Sequence, residues 1–139
     1  MNLEAFERHL IWAEGYRKKP YRCTAGKLSI GVGRNLEDRG LSDDEMLYLM
    51  RNDMNEAVRA AATLGYWSEL NEARQLVVAD MVFNLGLAGW LEFRRANAAL
   101  AAGDYARAAE EMQDSRWYEQ VGRRAKRLVE AMRTGEWTW

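Results

Sequence analysis

Three side chains able to do proton or nucleophile chemistry stand close together near the N-terminus: Glu14, the lone cysteine Cys23, and Ser29 within an apolar Leu28-Ser29-Ile30 run. A carboxyl can lend or take a proton. A thiol ionises near pH ~8.5 to a nucleophile or a base, and a hydroxyl can orient either partner or a water. Eight residues separate Glu14 from Cys23 and five separate Cys23 from Ser29, with glycines at 26, 31 and 33 between and beyond them. Such spacing converges if one strand carries Cys23 to a turn and the next brings Ser29 back beside it, near a helix end that presents Glu14. A cleft there would hold a carboxyl on one wall and a thiol–hydroxyl pair on the other. Each residue also has a plain structural use: an exposed helix-end carboxylate, a small buried thiol, a satisfied strand serine.

The elements that would position them can be read from periodicity. Leu3, Phe6, Leu10 and Ala13 recur at helical spacing behind an N-capping Asn2, so a helix is expected to end near Gly15. Residues 16–35 are punctuated by glycine and rich in strand formers, predicting a small antiparallel sheet with a turn at Thr24-Ala25-Gly26. Beyond Leu41 everything reads as helix. Ser42 to Glu45 forms a capping box, followed by the apolar stripe Met46, Leu49, Met50, Ala57, Val58, Ala61. A segment at about 71–85 is apolar on nearly all sides, which places it at the centre of a core. Further helices are expected at 94–101, 104–113 and 122–133, the last stopped by Gly135. The fold class is therefore α+β and predominantly α.

Composition narrows the function. With 139 residues, 48% hydrophobic and 29% charged, the chain fits one globular domain and not a disordered one. A net charge of −1 announces neither a nucleic-acid nor a membrane partner. No apolar run approaches the ~18 residues a membrane span needs, and residues 1–12 lack the apolar core of a signal peptide. One cysteine closes no intrachain disulfide. The single His9 has no ligand spacing around it, so no metal and no cofactor is expected. The basic stretch Arg116, Arg123, Arg124, Lys126, Arg127 leaves a helical nucleic-acid-binding module as an alternative.

Two polar residues break the apolar stripes. Asp53 falls in line with Met46, Met50 and Ala57, and a buried carboxylate there needs a partner, for which Arg34 is the candidate. Asn84 falls in line with Val77 and Met81, so its amide is expected to bond a neighbour such as the indole N–H of Trp117. Both are structural assignments. The six tryptophans, at 12, 67, 90, 117, 137 and 139, are assigned to core and lobe packing.

Taken together, "EGYRKKPYRCTAGKLSIGVGR", "NDMNEAVR", "MVFNLG" and "SRWYEQVGRRAKRLVEAMRTGEW" resemble four ordered segments of the phage-type lysozymes, glycoside hydrolase family 24, the muramidase endolysins of tailed bacteriophages. The family signature is Glu, eight residues, Asp or Cys, five residues, Thr; Glu14, Cys23 and Ser29 match it. The resemblance implies a lysozyme-like fold over 1–139: a sheet-containing lobe at about 14–41, a linking helix at about 42–63, and a helical lobe at about 64–139 with helix 1–14 packed on it. It also implies cleavage of the β-1,4 bond between N-acetylmuramic acid and N-acetylglucosamine. Glu14 takes the general-acid place, which calls for a sheltered carboxyl. Cys23 is base or nucleophile, giving inversion or retention respectively. Ser29 positions water or substrate. Arg124 matches an arginine set against the glutamate; Phe83 and Asn35 match positions that line the cleft or touch sugar.

The chain departs from the family where Cys23 stands for the commoner aspartate, Ser29 for threonine, and Arg34 for a histidine paired with the aspartate that Asp53 matches. It is also short between sheet and linking helix, at 36–41, which shortens the cleft's lower lip. The implied partner is peptidoglycan glycan, with no nucleic acid and no stable membrane insertion. A monomer is expected, held in the host cytoplasm until a separate holin-like membrane protein releases it to the wall. A non-catalytic wall-binding descendant of the fold is the other alternative.

Overall fold

The computed structural model describes residues 1–138, and the packing role expected of Trp139 lies outside the described residues. The chain divides into two compact units, Met1–Tyr48 and the part from Leu49 onward.

The first unit opens with α1 (Leu3–Glu14). Asn2 caps it, its side chain accepting from the Ala5 N–H at 3.0 Å. Gly15 ends it at φ +83, a conformation that disfavours any other residue. The sheet follows as β1 (Arg17–Arg22), β2 (Leu28–Gly31) and β3 (Arg34–Asn35), antiparallel and in sequence order. Tyr21 pairs with Ser29 across β1 and β2, and Ser29 with Asn35 across β2 and β3. The long helix α2 (Asp43–Ala61) starts at the expected capping box. The Ser42 hydroxyl accepts from the Glu45 N–H at 3.3 Å and donates to the Glu45 carboxylate at 2.9 Å. Of its apolar stripe only Ala57 and Ala61 are buried; Met46, Leu49, Met50 and Val58 are exposed.

The hydrophobic core belongs to the second unit. The central helix α3 (Glu72–Leu91) buries Val77, Val78, Met81, Val82 and Trp90, as its nearly continuous apolar run predicts. Its helical backbone is interrupted at Gly86 (φ +74), where the sequence reading ended the helix. Around it lie α4 (Arg94–Ala101), α5 (Tyr105–Gln113), α6 (Arg116–Val121) and α7 (Arg123–Thr134). The sequence reading missed α6, which is too short for periodicity to register. Ala125, Leu128, Val129 and Met132 form the buried edge of α7, and Gly135 stops it in the left-handed region at φ +75. The Trp90 indole N–H donates to the Tyr66 hydroxyl at 2.9 Å, which reaches the Asn97 side-chain oxygen at 2.5 Å, so the buried polar groups of this corner are paired. Among the described residues no single helix is long and apolar enough to cross a membrane.

Candidate active site

The β1–β2 connection is a three-residue loop, Thr24-Ala25-Gly26. The Cys23 N–H donates to the Lys27 carbonyl at 2.9 Å and the Gly26 N–H donates back to the Cys23 carbonyl at 2.8 Å. Gly26 supplies the positive φ (+77) that such a hairpin requires at its last loop position. Cys23 therefore occupies the first position of a turn, where an Asp or Asn side chain commonly accepts from the backbone two residues on. Here the acceptor is sulfur. The backbone N–H of Lys27 holds the thiol below its ordinary ionisation range, burial opposes this, and the Ala25 N–H and Ser29 hydroxyl add to the lowering. The thiol is half-buried and free. Ser29, across the ladder, is 3% exposed and is the one buried polar residue among the described residues. Its hydroxyl donates to the Lys27 carbonyl at 3.3 Å. With one proton to give, it has two acceptors: that carbonyl and, once Cys23 ionises, the thiolate.

Glu14 is the last residue of α1 and is exposed, whereas a general acid was expected to be sheltered. Gly33 in the β2–β3 turn lies close to it: a β-carbon built there would meet the Glu14 carboxylate at 2.9 Å. A mesh of carboxylates steadies the hairpins. Glu37 accepts from Arg22 at 2.5 Å and from the Leu28 N–H at 2.9 Å. Asp38 accepts from Lys27 at 3.2 Å and from the Asn35 amide at 3.1 Å, while the Asn35 oxygen accepts from the Asp38 N–H at 3.0 Å. Asn35, assigned to sugar contact, thus spends its amide on this turn.

Arg34 finds its carboxylate in Glu45 and also donates to the Gly40 carbonyl at 3.2 Å. This corrects the pairing expected with Asp53. The capping-box carboxylate sits eleven residues along the chain from Arg34, within the same unit, and Asp53 is exposed, so no burial compels it to find a cation. The Glu45 carboxyl is held below its usual range, first by the Arg34 hydrogen bond and then by Ser42. The Asn84–Trp117 bond is also corrected. Asn84 is exposed, and Trp117 is buried with its indole N–H unpartnered, its ring set edge-on to Phe93 at 6.0 Å. Asn84 lies only two residues before the break at Gly86, where helical phase no longer dictates what a side chain meets.

In the second unit, Phe83 and Arg124 line one apolar groove of about 510 Å³ with Met50, Met54, Val58 and Leu76. Phe83, 45% exposed, also walls a neighbouring cavity beside Asp53. Arg124 is fixed there by Asp80, which accepts from its Nε at 2.9 Å and its Nη2 at 2.7 Å. Sequence reasoning missed Asp80, although a lone carboxylate in the Val77–Phe83 apolar run was a signal. It missed Glu45 as partner of Arg34, having assigned that residue to the capping box alone. Trp90 and Trp117 are buried as expected, whereas Trp12 is 81% exposed, its ring tilted against that of His9 at 5.9 Å. Among the described residues no group of His, Cys, Asp or Glu is gathered closely enough to hold a metal ion.

A carboxyl at a helix end and a thiol on the hairpin that follows it, in one unit, and a core of helices in the other are the features of a lysozyme-like fold. The sequence profile described as phage lysozyme matches residues 12–135, and the chain belongs to that family of lysozyme-type hydrolases. It is 24% and 22% identical to the probable T4-type lysozymes 1 and 2 of Dictyostelium discoideum, covering 91% of this chain and 92% of each relative. It is 26% identical to the pre-baseplate central spike protein Gp5 of Enterobacteria phage T4 over 88% of this chain, which spans only 26% of that protein's length.

Proposed function

We propose that the protein hydrolyses the β-1,4 bond between N-acetylmuramic acid and N-acetylglucosamine in peptidoglycan. The observation that carries this reading is the setting of Cys23: a sulfur in an acceptor position, among turn N–H groups that favour its thiolate. Glu14 gives its proton to the glycosidic oxygen as the bond to the anomeric carbon breaks. The Cys23 thiolate takes a proton from water as that water's oxygen bonds to the anomeric carbon, which inverts the configuration. The competing step, sulfur bonding directly to carbon, gives a thioglycosyl intermediate and retention. An initial β-anomer among the products would establish the latter.

The role of Ser29 narrows: at 3% exposure its hydroxyl serves the reaction through the adjoining sulfur, and so positions water at one remove. Phe83, Arg124 and Asn35 are assigned to substrate. The partner is the glycan strand, met by a monomer that a holin-like membrane protein releases from the host cytoplasm. Similarity to a spike protein supports a second setting, in which the domain is carried to the wall as part of a larger assembly.

Chloroform-treated Gram-negative cells test the activity. Wild type is expected to clear the suspension and Glu14→Gln to leave it turbid. Failure of the wild type to clear would favour the wall-binding or nucleic-acid-binding alternatives.

A further inference from the structure

Glycines at positive φ serve the first unit's turns, but at Gly33 the missing side chain has a second consequence. Gly31, the last residue of β2, and Gly33, in the β2–β3 turn, flank Val32 at nearly equal φ, +69 and +73. A β-carbon on Gly31 would meet nothing within 4 Å. On Gly33 it would lie 2.9 Å from Glu14 Oε2 and 3.0 Å from both Cδ and Cγ, inside normal contact. Two bodies could yield. The Gly33 backbone is bounded by the pairing of Ile30 with Arg34 in the ladder, whereas Glu14 is an exposed side chain with free torsions. The carboxyl would therefore move. Its displacement would cost the fold little and the chemistry much, because misplacing a reacting group by about 1 Å can cost ~100-fold in rate.

We propose that Gly33 is a positioning residue for the Glu14 carboxyl: its bare α-carbon is the surface against which the proton donor is laid. This rests on the reading of Glu14 as the general acid. The β2–β3 turn thus has two separable requirements, left-handed backbone at both glycines and an absent side chain at one.

The paired variants Gly31→Ala and Gly33→Ala separate them, since both put alanine at nearly the same positive φ and only the second meets Glu14. Equal losses of Tm are expected. Gly33→Ala should lower kcat by ~100-fold with KM retained, while Gly31→Ala keeps the wild-type kcat and KM. Equal kcat in the two variants would overturn the proposal. Should Gly33→Ala not fold, the wild type decides: an NOE between the Glu14 Hγ and Gly33 Hα protons supports the contact, and its absence refutes it. Full activity in Glu14→Gln would instead remove the reading beneath the proposal, a result distinct from equal behaviour of the two alanine variants.

Discussion

Between Met1 and Tyr48 a single residue, Ser29, is buried, whereas from Leu49 onward Val77, Met81, Trp90, Leu100, Met112, Leu128 and Met132 are all withdrawn from solvent. The first unit is held by turns, capped ends and carboxylate hydrogen bonds. The second is held by apolar packing. The groups assigned to proton and nucleophile chemistry lie in the first, so the geometry of the reaction is set by backbone direction more than by core volume. The two properties should then respond to different substitutions.

The largest effect is expected at the sulfur. If Cys23 is a base, Cys23→Ser should lower kcat by about 10²–10⁴-fold, because a hydroxyl does not ionise in the working range. Cys23→Asp should stay active, the same turn N–H groups stabilising a carboxylate, with the rising limb of its pH profile moved toward acid. Activity in the serine variant would break the assignment. Next comes the core: Leu100→Ala, at a position 2% exposed, should cost about 2–5 kcal/mol in urea unfolding while kcat of the folded protein is kept. A fall in kcat at temperatures where the variant is folded would show the units to be less independent than the comparison holds.

The smallest effect is acid loosening of the first unit. Glu37 and Glu45 are held below their ordinary range, the first chiefly by the Leu28 N–H and the second chiefly by Arg34. A carboxylate whose folded pKa is depressed stabilises the fold above its unfolded pKa, and the contribution fades as pH falls through the lower folded value. Hydrogen exchange measured from pH 6 downward should therefore show the β2 and β3 amides losing protection before those of α3. Simultaneous loss would contradict this.

How much of this was legible in the sequence follows the same division. The central helix was readable because burial on all sides writes itself as an apolar run, and the hairpin because Gly26 marks a positive φ. Partners were harder. Arg34 was assigned to Asp53 on an inner-face argument that fails once Asp53 proves exposed, and Glu45, already used as a cap, carried the second role. Asn84 was placed by helical phase just short of the break at Gly86. Nor does spacing reveal that the backbone of Lys27 and Ala25 turns toward the sulfur, or that Gly33 lies under Glu14: those depend on chain direction through two turns, which residue types only permit.

The most direct test of the chemistry is mass spectrometric analysis of fragments released from purified peptidoglycan sacculi by the wild type and by Glu14→Gln, with Tm measured for both. Fragments ending in reducing N-acetylmuramic acid from the wild type, with none from the equally stable variant, are the expected result. Another newly exposed end group, or the same fragments from both proteins, would contradict the account.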